Sequence, residues 1–279
     1  MTSRMTARRL GRLVTDGELE AVRAAVQEQP HLLSAAVDQD GADGWTALHL
    51  AVLAGQAPMV TVLVEAGADP TARTEDGRTP LQLALTRTPH LVPVLRELGA
   101  PVDAASAAFL GEVETLSRAL DDGVPLTDPA TGTDLLSWAA TAGRAGTVQL
   151  LLDRGAAPGP ALHAAAAVGA PAVVEALLAA GAAADVRDPA TGSTPLHAAV
   201  AGAASDGAAA DGAAADGDAP AVVRLLIDAG ADLDATTHDG ASALDIARVA
   251  AARQRAAATG DTPHADSLAE MLVTAGATG

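Results

Sequence analysis

The stretch STPLHAAVAG at residues 193–202 has a near copy, TALHLAVLAG, at residues 46–55. Weaker versions of the same phrase lie at residues 77–84, 132–143 and 161–169. A catalytic motif normally occurs once in a chain, where it forms the active site. A motif that recurs along a chain instead predicts a repeated structural unit.

A glycine that follows a Leu-rich run is the second recurring mark, as in VLVEAGADP and LLIDAGADL. These glycines are Gly67, Gly99, Gly123, Gly155, Gly181, Gly230 and Gly276. A further glycine precedes several of them by the length of a short helix, at Gly55, Gly111, Gly143 and Gly169. Each such pair predicts one helix between two glycine turns, for example over residues 58–66.

The residues around these marks predict a helix–turn–helix hairpin in each unit. Thr79-Pro80 and Thr194-Pro195 are helix starts, because the hydroxyl caps the helix and proline needs no N–H partner in the first turn. Gly67 and its equivalents suit the left-handed residue that ends a helix. Asp-Gly pairs, at residues 43–44, 76–77 and 239–240, predict the turns that link one unit to the next.

TPLHAA, preceded by a turn glycine and followed by a Leu-rich helix that ends in GAD, resembles the ankyrin repeat. The resemblance extends across nearly the whole chain. It implies an all-α fold, a solenoid of stacked helix-turn-helix units with short β-turn fingers. In such a stack no unit buries its apolar face alone, so each depends on its neighbours.

The resemblance divides a single domain, residues 1–279, into eight units. Residues 8–40 and 236–279 are predicted to cap the two ends. The internal units are 43–72, 76–103, 104–126, 128–158, 159–184 and 188–235. Units 104–126 and 159–184 are shortened by about one finger, which either interrupts the binding surface or marks a bend. Units 128–158 and 188–235 both open with DPATG, so we expect their fingers to share one conformation.

Two insertions lengthen the last units. The low-complexity run at residues 203–218, rich in Asp-Gly, predicts a mobile loop between the two helices of its unit. Residues 250–267 occupy the same place in the last unit, and their first half is able to extend the preceding helix.

The composition argues against several classes of protein. The chain has a formal net charge of −18, 17 basic residues that are all arginine, and no cysteine. The charge opposes binding to nucleic acid, which needs clustered cations, and favours a basic partner. A local arginine cluster, Arg4, Arg8, Arg9 and Arg12, is interpreted as a solvated capping helix. We find no apolar run that indicates a signal peptide or a membrane span, and therefore expect a cytoplasmic protein.

The histidines do not indicate a metal or catalytic centre. His49, His163 and His197 occupy the same position in their units. Because stacked units lie about 10 Å apart, these imidazoles cannot share an ion at about 2 Å. The TPLH resemblance instead implies bonds to the backbone of the same or the next finger. No Walker loop, GxSxG or HExxH motif is present, so we predict neither catalysis nor a cofactor.

The resemblance places a protein-binding surface on the finger tips and on the ends of the first helices. The finger positions are Trp45, Glu75, Asp76, Arg78, Thr133 and Ser193, with His238 in the last finger. The helix-end positions are Leu53, Thr86, Arg87, Phe109, Thr141 and Val168. Aromatic residues are enriched in interface hot spots, but Trp45 also suits packing on its own finger. Phe109 suits burial as well as exposure, and Trp138 is predicted to lie in the core.

The sequence therefore predicts a monomeric, non-catalytic protein-interaction module that acts as an adaptor or regulator. Two alternatives remain open at this stage. One is a purely structural role, in which the acidic chain spaces or solubilises an associated protein. The other is an exported effector that binds a host protein. An enzyme with a cryptic site is the least favoured interpretation.

Overall fold

The computed structural model describes residues 6–37, 44–204, 218–257 and 263–278, and shows an all-α fold built of short helix pairs. The first helix of each pair is α1 (Ala7–Thr15), α3 (Ala47–Leu53), α5 (Pro80–Arg87), α7 (Ala104–Leu110), α9 (Leu135–Thr141), α11 (Gly159–Ala167), α13 (Pro195–Ala204) or α15 (Ala243–Ala257). The second is α2 (Leu19–Glu28), α4 (Ala57–Glu65), α6 (Val92–Glu97), α8 (Val113–Asp121), α10 (Ala145–Asp153), α12 (Pro171–Ala179), α14 (Ala219–Asp228) or α16 (Pro263–Ala275). The described residues thus contain eight helix pairs, and the first begins at Ala7, one residue before the predicted start of the N-terminal unit.

The helix ends follow the local chemistry that the sequence indicates. Pro80 and Pro195 are the first residues of α5 and α13. Thr79 caps α5 by accepting the N–H of Gln82, and Gln82 in turn accepts the N–H of Thr79. The seven glycines that follow the second helices all have positive φ, from 84° to 109°. Glycine adopts this left-handed conformation without the steric penalty of other residues.

The described residues form two compact units. One extends to Ser106 and includes the separate segment Asp128–Gly132, and the other comprises Ala107–Thr127 and the chain from Thr133 onward. In the first unit α3 packs against both α1 and α5, while α4 packs against α2 and α6. In the second unit α9, α11, α13 and α15 pack in sequence, as do α8, α10, α12, α14 and α16.

The core between these helices is thin and made of small side chains. Ala51, Leu63 and Val60 are fully buried in one pair, and Ala165, Val174 and Leu177 in another. Gly202 shows how closely the helices approach, because a Cβ at this position would lie 1.9 Å from the carbonyl oxygen of Ala167. Such contacts explain why the chain uses alanine and glycine where a globular core would use larger residues.

The two insertions do not keep their predicted bounds, because Ala203 and Ala204 belong to α13 and residues 263–267 belong to α16. α13 ends at Ala204 and α14 begins at Ala219, so the low-complexity run separates the helices of one unit, and its residues 205–217 lie outside the described chain. α15 is longer than the other first helices and includes residues 250–257, as the sequence suggested. Among the described residues no helix is long and apolar enough to cross a bilayer.

Candidate protein-binding surface

The repeated histidines join each unit to the next. His49 Nδ1 lies 3.2 Å from the N–H of Thr46, so this nitrogen accepts a hydrogen bond and Nε2 carries the proton. Nε2 then donates to the carbonyl oxygen of Arg78, 3.3 Å away in the next finger. His197 repeats the arrangement, with Thr194 N at 3.2 Å and Ala241 O at 3.1 Å.

His163 forms the corresponding bond to the carbonyl oxygen of Ser193, at 2.9 Å. Each of the three acceptor carbonyls belongs to the residue just before the helix cap of the next unit. The histidines are therefore structural joints between units, as the TPLH resemblance implies. No group of three or more His, Cys, Asp or Glu in the described chain is placed to hold a metal ion.

Gln82 takes the histidine position in α5, where the next unit has no finger. Its side-chain N–H groups donate to Asp103 Oδ2 at 3.0 Å and to Asp128 Oδ2 at 3.2 Å. Asp128 is 6% exposed and also accepts bonds from Ala130 N and Thr131 Oγ1. The amide supplies two donors where a histidine would supply one, so it satisfies two carboxylates at once.

The residue type at the histidine position of each first helix correlates with whether the next unit has a finger. His49, His163 and His197 each precede a unit with a finger. Gln82 and Ser137 precede the shortened units, and Asp245 precedes no further unit. Ser137 and Asp245 bond only within their own helix cap, to Asp134 and Ser242. The exception is Ser106, whose hydroxyl is buried without a hydrogen-bond partner.

The fingers contact one another through their glycines. A Cβ on Gly44 would lie 2.8 Å from Glu75 N, and a Cβ on Gly77 would lie 2.3 Å from the carbonyl oxygen of Ala130. The finger at residues 74–78 thus packs directly against the finger at residues 128–132. The shortened unit 104–126 consequently does not interrupt the row of fingers at this place.

The second shortened unit does leave an open finger. Apart from the residues on either side of Gly132 in the chain, no described residue has a heavy atom within 4 Å of the position that a Cβ on Gly132 would take. Gly192, in the other DPATG finger, instead lies against His238, with 2.5 Å between its Cβ position and Cδ2 of the ring. In the described chain, contacts between fingers are therefore found at Gly44, Gly77 and Gly192, and none is found at Gly132.

Two arginines hold fingers in place. Arg73 donates to the carbonyl oxygen of Gly77 and lies 3.6 Å from Asp103. Arg187 donates to the carbonyl oxygens of Gly192 and Thr236 at 3.1 and 2.8 Å. Arg73 thus stabilises its own finger, and Arg187 links its own finger to the next one.

The structure places most of the predicted binding residues at the surface. Leu53 is 43% exposed, and Glu75, Asp76, Arg87, Thr133 and Thr141 are also exposed. Trp45, Arg78, Thr86, Val168 and Ser193 are partly exposed. Arg78 and Asp76 form an ion pair at 3.0 Å. The ring of Trp45 meets His49 edge-to-face at 5.9 Å, which is the packing on its own unit that the sequence left open.

Phe109 requires a correction, because it is 4% exposed and belongs to the core. Its ring packs edge-to-face on Trp138, with 5.8 Å between centroids, and Trp138 is buried as predicted. The side chain of Phe109 therefore does not contribute to the accessible surface. Arg8 and Arg12 of the arginine cluster are exposed on α1, whereas Arg4 lies outside the described residues.

Sequence reasoning missed Gln82, Asp128 and Gly132. The signal for the first two is the replacement of histidine in TPLQ, one unit before a missing finger. The signal for Gly132 is a DPATG finger followed by a unit without one.

Comparison with known families agrees with the helix pairs and finger turns described above. Three family models match: ankyrin repeats (many copies) at residues 32–84, ankyrin repeats (3 copies) at residues 136–210, and ankyrin repeat at residues 191–238. Together these matches cover more than half of the chain. The chain belongs to the ankyrin repeat family.

A solved structure, the crystal structure of the human ASB11 ankyrin repeat domain, is 21% identical to this chain. The match covers 95% of this chain and 96% of that chain, with a TM-score of 0.46. A search of curated proteins returned no match. Ankyrin repeats are in general protein–protein interaction modules, and their fold is typically non-catalytic.

Proposed function

We propose that this chain is a cytoplasmic adaptor or regulator that binds a partner protein through its finger tips and the exposed ends of its first helices. The proposal rests on a difference between two sets of side chains: one set forms hydrogen bonds between units, and the other is exposed and does not. His49, Gln82 and Arg187 are committed to hydrogen bonds between units. The side chains of Leu53, Glu75 and Arg87 are exposed, and within the described chain none of the side-chain hydrogen bonds or ion pairs between units involves them.

The charge supports a basic partner. With a net charge of −18, the chain attracts cationic surfaces and repels nucleic acid. Asp76 and Arg78 form an ion pair whose charges balance, and the adjacent exposed Glu75 adds a negative charge to this finger. Acidic residues on this surface would speed association with a basic protein and make the rate sensitive to salt.

The test compares two triple alanine variants. The first removes Leu53, Glu75 and Arg87. The matched control removes an exposed valine, glutamate and arginine on α8, a second helix: Val113, Glu114 and Arg118. Wild type and both variants are used for affinity purification with chemical crosslinking from the native cell, after circular dichroism confirms equal helicity.

We expect a specific set of captured proteins to be lost with the first variant and retained with the control. Equal capture by all three proteins would contradict the proposed surface. If no protein crosslinks to the wild type, the binding function is wrong. A partner that is captured equally by both variants would fit the role of an acidic spacer, and capture only from host-cell lysate would fit an exported effector.

A further inference from the structure

The two DPATG fingers have the same conformation. In each, the glycine N–H donates to the aspartate carbonyl oxygen at 2.8 Å, for Gly132 to Asp128 and for Gly192 to Asp188. The φ angles of the two glycines are 70° and 72°. In each, the aspartate Oδ1 accepts the alanine N–H, at 3.0 and 3.1 Å. The two fingers therefore have the same internal turn geometry.

The second finger shows what such a surface holds. The turn at residues 237–240, of sequence THDG, is docked on it. The N–H of His238 donates to the carbonyl oxygen of Thr191 at 2.8 Å, and His238 Nδ1 lies 3.2 Å from the carbonyl oxygen of Ala190. The imidazole covers Gly192, where a side chain larger than hydrogen would collide with it.

The first finger has the same turn, with open space before Gly132. Apart from the chain neighbours of Gly132, no described residue has a heavy atom within 4 Å of its Cβ position, and the sequence of the next unit, 159–184, lacks a finger. The opposite side of this finger is covered, since Ala130 packs on Gly77. On the Gly132 side, therefore, no second finger of the described chain packs against this finger.

We propose that the Gly132 side of the finger at residues 128–132 binds a β-turn of the partner protein, with histidine at its second position followed by Asp-Gly. The inference rests on the proposed function and specifies what the partner presents. Ala130 O already faces Gly77, so the docked turn would be held mainly by its imidazole over Gly132 and by one backbone N–H. That N–H would donate to the carbonyl oxygen of residue 131, and a carbonyl accepts two hydrogen bonds.

The test uses a defined probe, a head-to-tail cyclised peptide that contains ATTHDGAS, the sequence of residues 235–242. It is titrated to millimolar concentration into the isotopically labelled full chain, and amide chemical shifts are followed. We expect saturable shifts at residues 130–132. The chain's own turn keeps the second finger occupied, because a tethered segment has a high effective concentration. Replacement of the peptide histidine by alanine should weaken binding about tenfold.

Gly132→Asn fills the open space while asparagine tolerates positive φ, and should weaken binding about tenfold or more. Gly240→Asn is the matched control, because Gly240 also has positive φ and open space but belongs to a THDG finger. This variant should bind the peptide as the wild type does.

Three results would overturn the inference: no shifts at residues 130–132, equal binding by Gly132→Asn, or shifts confined to residues 188–192. Self-association of the wild type that Gly132→Asn abolishes would also overturn it, because the occupant would then be a second copy of this chain. The peptide experiment is independent of the native partner. If the peptide does not bind but the captured proteins still depend on Leu53, Glu75 and Arg87, the proposed function stands and only this inference is wrong.

Discussion

The side-chain amide of Gln82 donates to the carboxylate of Asp128 at 3.2 Å, although 46 positions separate the two residues in the chain. This bond passes over the whole shortened unit 104–126. It holds the finger at residues 128–132 against the finger at residues 74–78. A finger of the shortened unit would otherwise take this place. The missing finger is thus bypassed by a side-chain contact.

Gln82→Leu should destabilise the chain by about 2–3 kcal/mol, because it leaves the buried Asp128 carboxylate without its amide donor. Gln149→Leu is the control, since Gln149 is exposed and bonds only to Asp153 on its own helix turn. It should change stability by less than about 0.5 kcal/mol. Urea unfolding followed by circular dichroism measures both. Equal losses would show that the bond to Asp128 does not contribute.

Stability should fall as the pH is lowered below 6.5, because burial lowers the pKa of His49 and His197 from the ordinary histidine value of 6.5. Below that pH the unfolded chain binds protons that the folded chain does not, so the full contribution is present above 6.5 and lost progressively below it. Hydrogen bonds from Thr71, Thr191 and the N–H of Ser242 lower the pKa of Asp69, Asp188 and Asp245 from 3.8, so those contributions are lost only at more acid pH.

The measurement is the urea midpoint between pH 8 and pH 5. The double variant His49→Gln with His197→Gln should lose less stability over this range than the wild type, and Gln82 shows that glutamine fits the position. His31→Gln, at an exposed histidine, is the control and should retain the wild-type profile. A double variant with the wild-type slope would assign the pH dependence to other groups.

Gly77→Ala and Gly132→Ala should differ in cost, although both glycines have positive φ, 80° and 70°. Each substitution pays about 1–2 kcal/mol for the left-handed conformation. At Gly77 the new Cβ also meets the carbonyl of Ala130, so we expect a further loss of about 1–3 kcal/mol. The difference between the two unfolding free energies reports the finger–finger contact. If the two variants are equally stable, the fingers are not packed as described.

Phe109→Ala should destabilise the chain by about 3–5 kcal/mol, because it removes a buried aromatic ring from Trp138. Leu53→Ala, at an exposed position, should cost less than about 1 kcal/mol. Thermal unfolding distinguishes the two. If Phe109→Ala loses as little stability as Leu53→Ala, the Phe109 side chain is exposed, which is the alternative that the sequence left open.

The sequence predicted the features that depend on local chemistry. Thr79-Pro80 and Gly67 define a helix start and a helix end through residues next to them, so the pattern alone is sufficient. The bonds of His49 and His197 were also expected, because they repeat with the TPLH phrase.

The features that depend on distant units were not predicted. Whether Phe109 is buried is decided by Trp138 on another helix, and whether Gly132 is open is decided by a finger that the next unit lacks. The Gln82–Asp128 bond joins residues on either side of an entire unit. Periodicity describes what each unit contains, but not which non-neighbouring units meet.

The histidine position of each first helix has a consequence for how such a chain can change its length. The amide of Gln82 donates to two carboxylates, whereas His49 has one ring N–H for the carbonyl oxygen of Arg78, so a histidine at position 82 would leave one of the two carboxylates without its donor. A finger added to the shortened unit 104–126 would separate the finger at residues 128–132 from the finger at residues 74–78 and would leave the Gln82 amide without Asp128. A change of length in that unit and a change of side chain at position 82 would therefore be inherited together.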